Sequence, residues 1–304
     1  MWGRWRRKRR DAGLAGIGVH ANGFSFVRVV REPRTPARIV AADFRPFEGA
    51  DPSQVLARLV ADHDLKRHMC TTWLRAGEYR LLQTEAPDVK PEELRAALRW
   101  RIKDLIDFHV NDATLDVFDV PMRMPGRAPL VYVVVGRNEA IRARADLMYN
   151  AGAALDIIDI PELAQRNLAE LLPQDREGVA LLTLTDDGVL ITITRDGALY
   201  LSRTIAEGLP AFADDRGYER LLLELQRSLD YFESSFRQSP IMHVVVAPAS
   251  APNEALIAYL QANLPQRVVS WEVGRYGDVE AQVSVPDSCF VTLGAALRED
   301  KVAL

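Results

Sequence analysis

The sequence predicts a two-lobed α/β protein in which one α/β half occurs twice, with a small α+β subdomain inserted between the copies. Three observations predict it. A three-stranded meander opens the chain and recurs past the middle. Each meander is followed by a helix and then by one apolar strand. A separate block of strands and helices lies between the two copies. The chain has 304 residues, 48% hydrophobic and 26% charged, about twice the usual length of one domain and globular in composition.

The first copy begins with Leu14–His20, turns at Asn22-Gly23, and returns as Phe24–Val30. Asn-Gly between alternating apolar runs is a hairpin signal. Ala37–Phe44 then extends the meander. A helix from Pro52 to about His63 leads to a strand over Met69–Leu74. The second copy runs Val179–Thr185, a turn at Asp186-Asp187-Gly188, Val189–Thr194, a turn at Asp196-Gly197, and Ala198–Ile205. A helix over Tyr218–Phe236 follows, with Leu222, Leu225, Leu229, Phe232 and Phe236 in a 3-4-3-4 stripe. It leads to the strand Ile241–Val246, a helix ending near Leu264, and a closing small-residue helix over Cys289–Arg298. That helix is expected to pack tightly on a sheet.

The middle block reads strand Tyr79–Thr84, helix Pro91–Ile106, strand Thr114–Val120, strand Leu130–Gly136, helix Glu139–Ala151 and strand Leu155–Ile160. Pro91 followed by Glu92-Glu93 is a helix start. The β-α-β-β-α-β order suggests a split-βαβ insert. A linking helix, Pro161–Leu172, leads into the second lobe. The expected organisation is thus a basic tail at 1–11, the first lobe at 12–83, the insert at 84–160, and the linking helix with the second lobe at 161–304. Two copies of meander, helix and strand have the topology of the ribonuclease-H-like half-fold. Paired, they give the actin-like architecture.

Charge is uneven. Residues 1–10 contain Arg4, Arg6, Arg7, Lys8, Arg9 and Arg10 with no acid, while the whole chain totals −4, so the remainder carries −10. Such a tail reads as a solvated arm or as an attachment to an anionic membrane surface, where Trp2 and Trp5 suit the headgroup layer. Nucleic acid is the least favoured partner, because the acidic body repels phosphate. No apolar run reaches the ~18 residues of a membrane-spanning helix. The N-terminus has no signal-peptide core, so the expectation is a chain that is not exported. Cys70 and Cys289 fit no metal or redox spacing and read as buried thiols in a reducing compartment.

Four segments carry a resemblance: the Gly16-Ile17 strand with its hairpin; Leu94–Phe108, containing Trp100, followed by Leu115-Asp116-Val117; Leu155–Ala164; and Glu224–Phe232 with its Gln226-Arg227-Ser228 centre. On these the chain resembles the PilM family of type IV pilus assembly proteins, and within it the MshI branch that serves mannose-sensitive haemagglutinin pili. The resemblance implies an actin-like fold with an inserted subdomain. It also implies a cytoplasmic protein peripheral to the inner membrane, held by the short N-terminal cytoplasmic segment of a bitopic partner.

Actin-like ATPases carry Asp-x-Gly on the first strand of each lobe. The Asp holds the Mg²⁺ water shell and the Gly admits the phosphates. The resemblance places these motifs at Gly18-Val19-His20 and Thr183-Leu184-Thr185, without either Asp or either second Gly. The glycines expected to face adenosine read Ala247-Pro248. The expectation is therefore no cofactor and no catalysis. The alternative is an ATPase with magnesium, using Asp186, Asp187 and Gly188 as a shifted loop and its nucleotide state as the switch for docking. These three residues otherwise make a plain hairpin turn. A sugar-kinase-like enzyme is a third reading, disfavoured because the phosphate loops do not match. Gly16 and Gly18 lack the third glycine of a dinucleotide fingerprint. His20 reads as a strand-end polar residue, and His63 and His68 as a solvated helix end. Arg95, Arg99, Trp100, Arg101 and Lys103 fall beside the helix's expected apolar stripe of Leu94, Leu98, Ile102 and Leu105. They form the candidate partner surface, with Trp100 as a core cap being the alternative.

Overall fold

The computed structural model describes residues 13–32, 35–121, 128–185, 188–212, 214–248, 251–273 and 279–299. The basic tail and the Asp186-Asp187 pair lie outside these residues.

The first meander is β1 (Gly13–Val19), β2 (Gly23–Val30) and β3 (Ala37–Pro46). Val19 faces Phe24 across the turn, and the His20 N–H donates to the Gly23 carbonyl at 2.9 Å. α1 (Pro52–Asp62) starts on a cap, the Asp51 carboxylate accepting the Ser53 N–H at 3.0 Å, with Pro52 supplying a preset φ. β4 (Met69–Trp73) then returns parallel to β1. The insert follows as β5 (Tyr79–Glu85), α2 (Pro91–Arg101), β6 (Ala113–Asp119) and β7 (Leu130–Arg137). α3 (Asn138–Ala151), β8 (Leu155–Asp159) and α4 (Pro161–Ala169) precede the second meander of β9 (Val179–Thr185), β10 (Gly188–Arg195) and β11 (Ala198–Ile205). The second half continues with α5 (Asp215–Phe236), β12 (His243–Ala247), α6 (Ala251–Asn263) and β13 (Arg267–Ser270). β14 (Val279–Ala281) and α7 (Phe290–Ala296) complete it.

The duplication is plain in the sheets. The first has the order β14-β3-β2-β1-β4-β8, the second β11-β10-β9-β12-β13. In each, the meander's first strand pairs in parallel with the strand that follows the helix, β1 with β4 and β9 with β12. All five residues of the α5 stripe are buried. Between the sheets lie α4 and α7. They cross at Gly294, where a Cβ would sit 2.2 Å from the Ala164 carbonyl oxygen. α7 approaches β1 as closely: a Cβ on Gly16 would lie 2.7 Å from the Thr292 carbonyl oxygen. Val27 and Ile39 of the first lobe, Leu181 and Val245 of the second, and Leu168 and Leu293 of the two helices form one buried cluster. The small-residue helix packs on a sheet as expected.

Four expectations are corrected. The β-α-β-β-α-β order does not make one insert. The inserted sheet is three-stranded, β5-β7-β6, and β8 instead extends the first lobe's sheet beside β4. α3 packs on α1, its Met148 joining the first-lobe core. The insert therefore ends near Arg137, because an apolar strand pairs where an open edge is offered, whatever its sequence neighbours. Likewise the last segment does not stay with the second lobe, since β14 pairs with β3. α2 ends at Arg101, and Leu105 is 58% exposed beyond it rather than part of the stripe. His68 is buried, and His63 stacks on Phe26 at 4.2 Å, so neither is a solvated helix end.

The inserted sheet is apolar on both faces. Val131, Val133 and Val135 of β7 face Leu98 of α2 and Ile102 just beyond it. Tyr132 lies in the second lobe's core with Tyr200 and Phe232, and Leu81, Phe118 and Leu130 pack against that core. The two-residue period of a strand sends alternate side chains to opposite faces. A single strand thus serves two cores.

Candidate functional site

The two lobes and the insert meet around a cleft of about 830 Å³. From the first lobe come His20, Phe44 and Trp73; from the insert Tyr79, Leu81 and Tyr132; from the second lobe Thr183, Leu190, Tyr200 and Tyr231. Glu162 opens α4 at the back, and Pro248, Asn253 and Phe290 complete the wall.

The residues at the first expected phosphate motif are committed elsewhere. His20 Nε2 lies 2.7 Å from Ser25 Oγ, and Ser25 Oγ lies 2.5 Å from Thr292 Oγ1. Trp73 Nε1–H donates to the same Thr292 hydroxyl at 3.1 Å. Edge contacts from Phe44 and Trp73, each 5.5 Å away, hold the His20 ring. This chain of groups fills the space over Gly18. A Cβ there would lie 2.3 Å from Ser25 Oγ, 2.4 Å from Thr292 Oγ1 and 2.9 Å from Trp73 Nε1. No carboxylate fits at that position without displacing all three. In the second lobe, the Thr183 hydroxyl donates to Gln165 Oε1 at 2.7 Å. Gln165 Nε2 donates to the Leu181 carbonyl and, at 2.9 Å, to Thr192 Oγ1. Thr185 Oγ1 donates to the Gly188 carbonyl at 3.1 Å, which closes the hairpin. Gly188 has φ of +144°, a conformation suited to glycine. Asn253 Nδ2 donates to the Pro248 carbonyl at 2.8 Å, beside Ala247.

These residues do not fit magnesium and a triphosphate. The two strand-end positions hold no carboxylate, and their side-chain hydrogen bonds are already made inside the protein. Among the described residues, no three of His, Cys, Asp and Glu stand together in an arrangement able to hold a metal ion. The shifted-loop carboxylates of Asp186 and Asp187 are outside the description.

The cleft also contains a group the sequence did not single out. The Tyr79 hydroxyl donates to Glu162 Oε2 at 2.5 Å. Burial pushes the Glu162 carboxyl up to about 7, against the Tyr79 hydrogen bond, which holds it down. Asp159, buried beside it and bonded to Arg298 at 3.2 Å, adds to the rise. Ser25, Thr292, Gln165 and Glu162 carry no local motif. Ser25 and Thr292 are 267 positions apart, and nothing in either segment announces the other.

The candidate partner surface divides. Arg95 is paired with Asp116 at 2.8 Å, and Arg101 approaches Glu85 at 3.7 Å. Arg99 donates to the Val110 and Ala113 carbonyls at 2.6 and 3.1 Å, so it holds the insert together rather than facing outward. Trp100 is 70% exposed and does not cap the subdomain core. Lys103 is exposed in the turn after α2.

The insert is fastened to both lobes. Arg144 of α3 is 4% exposed, donates to the Trp73 carbonyl at 2.8 Å and grips Glu78, just ahead of β5, at 2.7 and 2.9 Å. Across the cleft, the Tyr132 hydroxyl donates to the Tyr200 carbonyl at 3.0 Å.

No protein-family model and no curated protein sequence matches the chain. Solved structures do. A chain of the PilM–PilN type IV pilus biogenesis complex superposes with a TM-score of 0.75 at 19% identity, over 95% of this chain and 98% of that one. The cytoplasmic domain of EpsL, an inner membrane component of the type II secretion system of Vibrio cholerae, gives 0.55 at 13% identity, over 95% and 96%. A Bacteroides thetaiotaomicron protein with an actin-like ATPase fold and unknown function gives 0.52 at 10% identity, over 88% and 94%. These likenesses show the actin-like fold that the duplicated meander predicts.

Proposed function

We propose that this chain is a non-catalytic scaffold of a type IV pilus assembly machine. In this reading it works at the cytoplasmic face of the inner membrane and binds the N-terminal cytoplasmic segment of a bitopic assembly partner. The observation that carries the reading is the filling of the Gly18 position by Ser25, Thr292 and Trp73 beside an open interlobe cleft. A fold normally organised around a nucleotide has kept its shape and replaced the metal-binding chemistry with internal hydrogen bonds. Support for the pilus assignment is the near full-length likeness to the PilM–PilN complex, joined by the EpsL domain. No helix among the described residues is long and apolar enough to cross a membrane, which suits a chain recruited by a partner. The finer assignment, to the mannose-sensitive haemagglutinin type, rests on the sequence resemblance.

Calorimetry of the purified chain with Mg-ATP is the first test, with no heat of binding expected at millimolar nucleotide. Saturable binding would replace the scaffold by an ATP-dependent switch. The partner half is tested with synthetic peptides of the cytoplasmic segments of bitopic pilus-assembly proteins. One should bind, and the double change Trp100→Ala, Lys103→Glu should weaken it about tenfold, as loss of an exposed aromatic anchor does. Failure of every such segment to bind would remove the pilus assignment.

A further inference from the structure

We propose that the interlobe cleft is a binding site for an uncharged, largely apolar small molecule carrying a flat ring, an inference that rests on the cleft not taking Mg-ATP. The size fits. A cleft of about 830 Å³ is in the range that small-molecule sites occupy. The walls fit as well. Aromatic rings enter from all three parts of the molecule: Phe44 and Trp73, Tyr79 and Tyr132, Tyr200 and Tyr231. Such rings offer apolar area and stacking faces at little cost in side-chain entropy.

The cations of the wall are already paired. Among the described residues, the charged lining groups are Arg80, Arg203, Glu162 and Asp287, and Arg80 lies 3.9 Å from Asp107. Arg203 is already paired with Glu224 at 2.7 Å and holds that carboxyl below its ordinary range. Several polar groups of the wall are likewise committed, while Gln83 Nε2 is buried there with no hydrogen-bond partner. Tyr132 donates to Tyr200, Tyr79 to Glu162, and Thr183 to Gln165. A charged guest would give up its water here and gain few hydrogen bonds in return, which is unfavourable. An uncharged ring loses nothing of that kind and gains contact area.

A matched pair of fluorescent probes separates these terms. N-phenyl-1-naphthylamine is uncharged, and its 8-sulfonate derivative adds one negative charge to the same rings. The full-length protein is expected to bind the uncharged probe in a one-to-one complex, at least about tenfold tighter than the sulfonate. Leu190→Trp fills the cleft from the second lobe and Ala76→Trp from the exposed rim of the first. Each is expected to abolish uncharged-probe binding, with Ala76→Trp melting as the wild type does. Equal affinity for the two probes, or binding that survives in Ala76→Trp, overturns the proposal. Absence of probe binding together with absence of ATP binding overturns this inference and leaves the scaffold reading standing. Displacement of the uncharged probe by millimolar Mg-ATP overturns both.

Discussion

At the residue scale, two positions decide what the cleft does. Gly18 is the position at which the resemblance expects a magnesium-holding Asp, and Ser25, Thr292 and Trp73 close over it. Gly18→Asp is therefore expected to destabilise the fold by about 2 kcal/mol or more, through overpacking and a buried, poorly paired charge. It should not create Mg-ATP binding. Chemical denaturation and calorimetry check the two halves, and a stable variant that binds nucleotide would show that the network yields. Glu162 is the second position. Its carboxyl is raised in the folded state to about 7, so the folded protein holds the proton more tightly than the unfolded chain. Stability is then greatest at or below the ordinary Glu range and is lost as pH rises towards and through 7. Glu162→Gln keeps an acceptor for Tyr79 without the ionisation. The unfolding free energy of the wild type, from chemical denaturation at each pH, should fall relative to this variant between pH 5 and 8, by up to a few kcal/mol at about 1.4 kcal/mol per pKa unit. Parallel profiles would mean that Glu162 is solvated.

At the element scale, β7 is the unusual member. A strand with one solvated face alternates apolar and polar residues, whereas Leu130–Arg137 is apolar at almost every position. The sequence showed that run without saying what covered the second face. The structure gives α2 on one side and the core of the second lobe on the other. Tyr132→Phe removes only the hydroxyl bond to Tyr200, worth about 1 kcal/mol. Hydrogen exchange should speed up in β11 and β5 while α1, remote from that contact, stays unchanged. A uniform change across all elements would mean that the insert does not tie the lobes. The same element scale explains why the insert's boundary was misplaced. The order of strands and helices over residues 79–159 was legible, but β8 pairs with β4 rather than with the insert. Pairing depends on which sheet edge is open, and that is a property of the assembled lobe.

At the scale of the whole molecule, the two halves share α4, α7 and one continuous cluster running from Val27 to Leu181. The insert adds a second bridge through Val120 and Tyr132. The protein should consequently unfold in a single calorimetric transition in spite of its two lobes, since neither lobe keeps its core when the other melts. Tyr132→Ala, which strips the insert's anchor from that core, should lower the transition and broaden it or split it in two. Two resolved transitions in the wild type would show that the shared helices do not couple the lobes. The sequence by itself determined the repeat, the strand and helix order and the apolar stripe of α5. These are read from spacing along the chain, where periods of two and 3.6 residues leave a direct imprint. Only the tertiary structure decided that Ser25, Trp73 and Thr292 close over Gly18, that Glu162 is buried against Tyr79, and that Trp100 is free while Arg99 is not. Each depends on groups brought together from distant segments. Packing, unlike periodicity, leaves no local mark in the sequence.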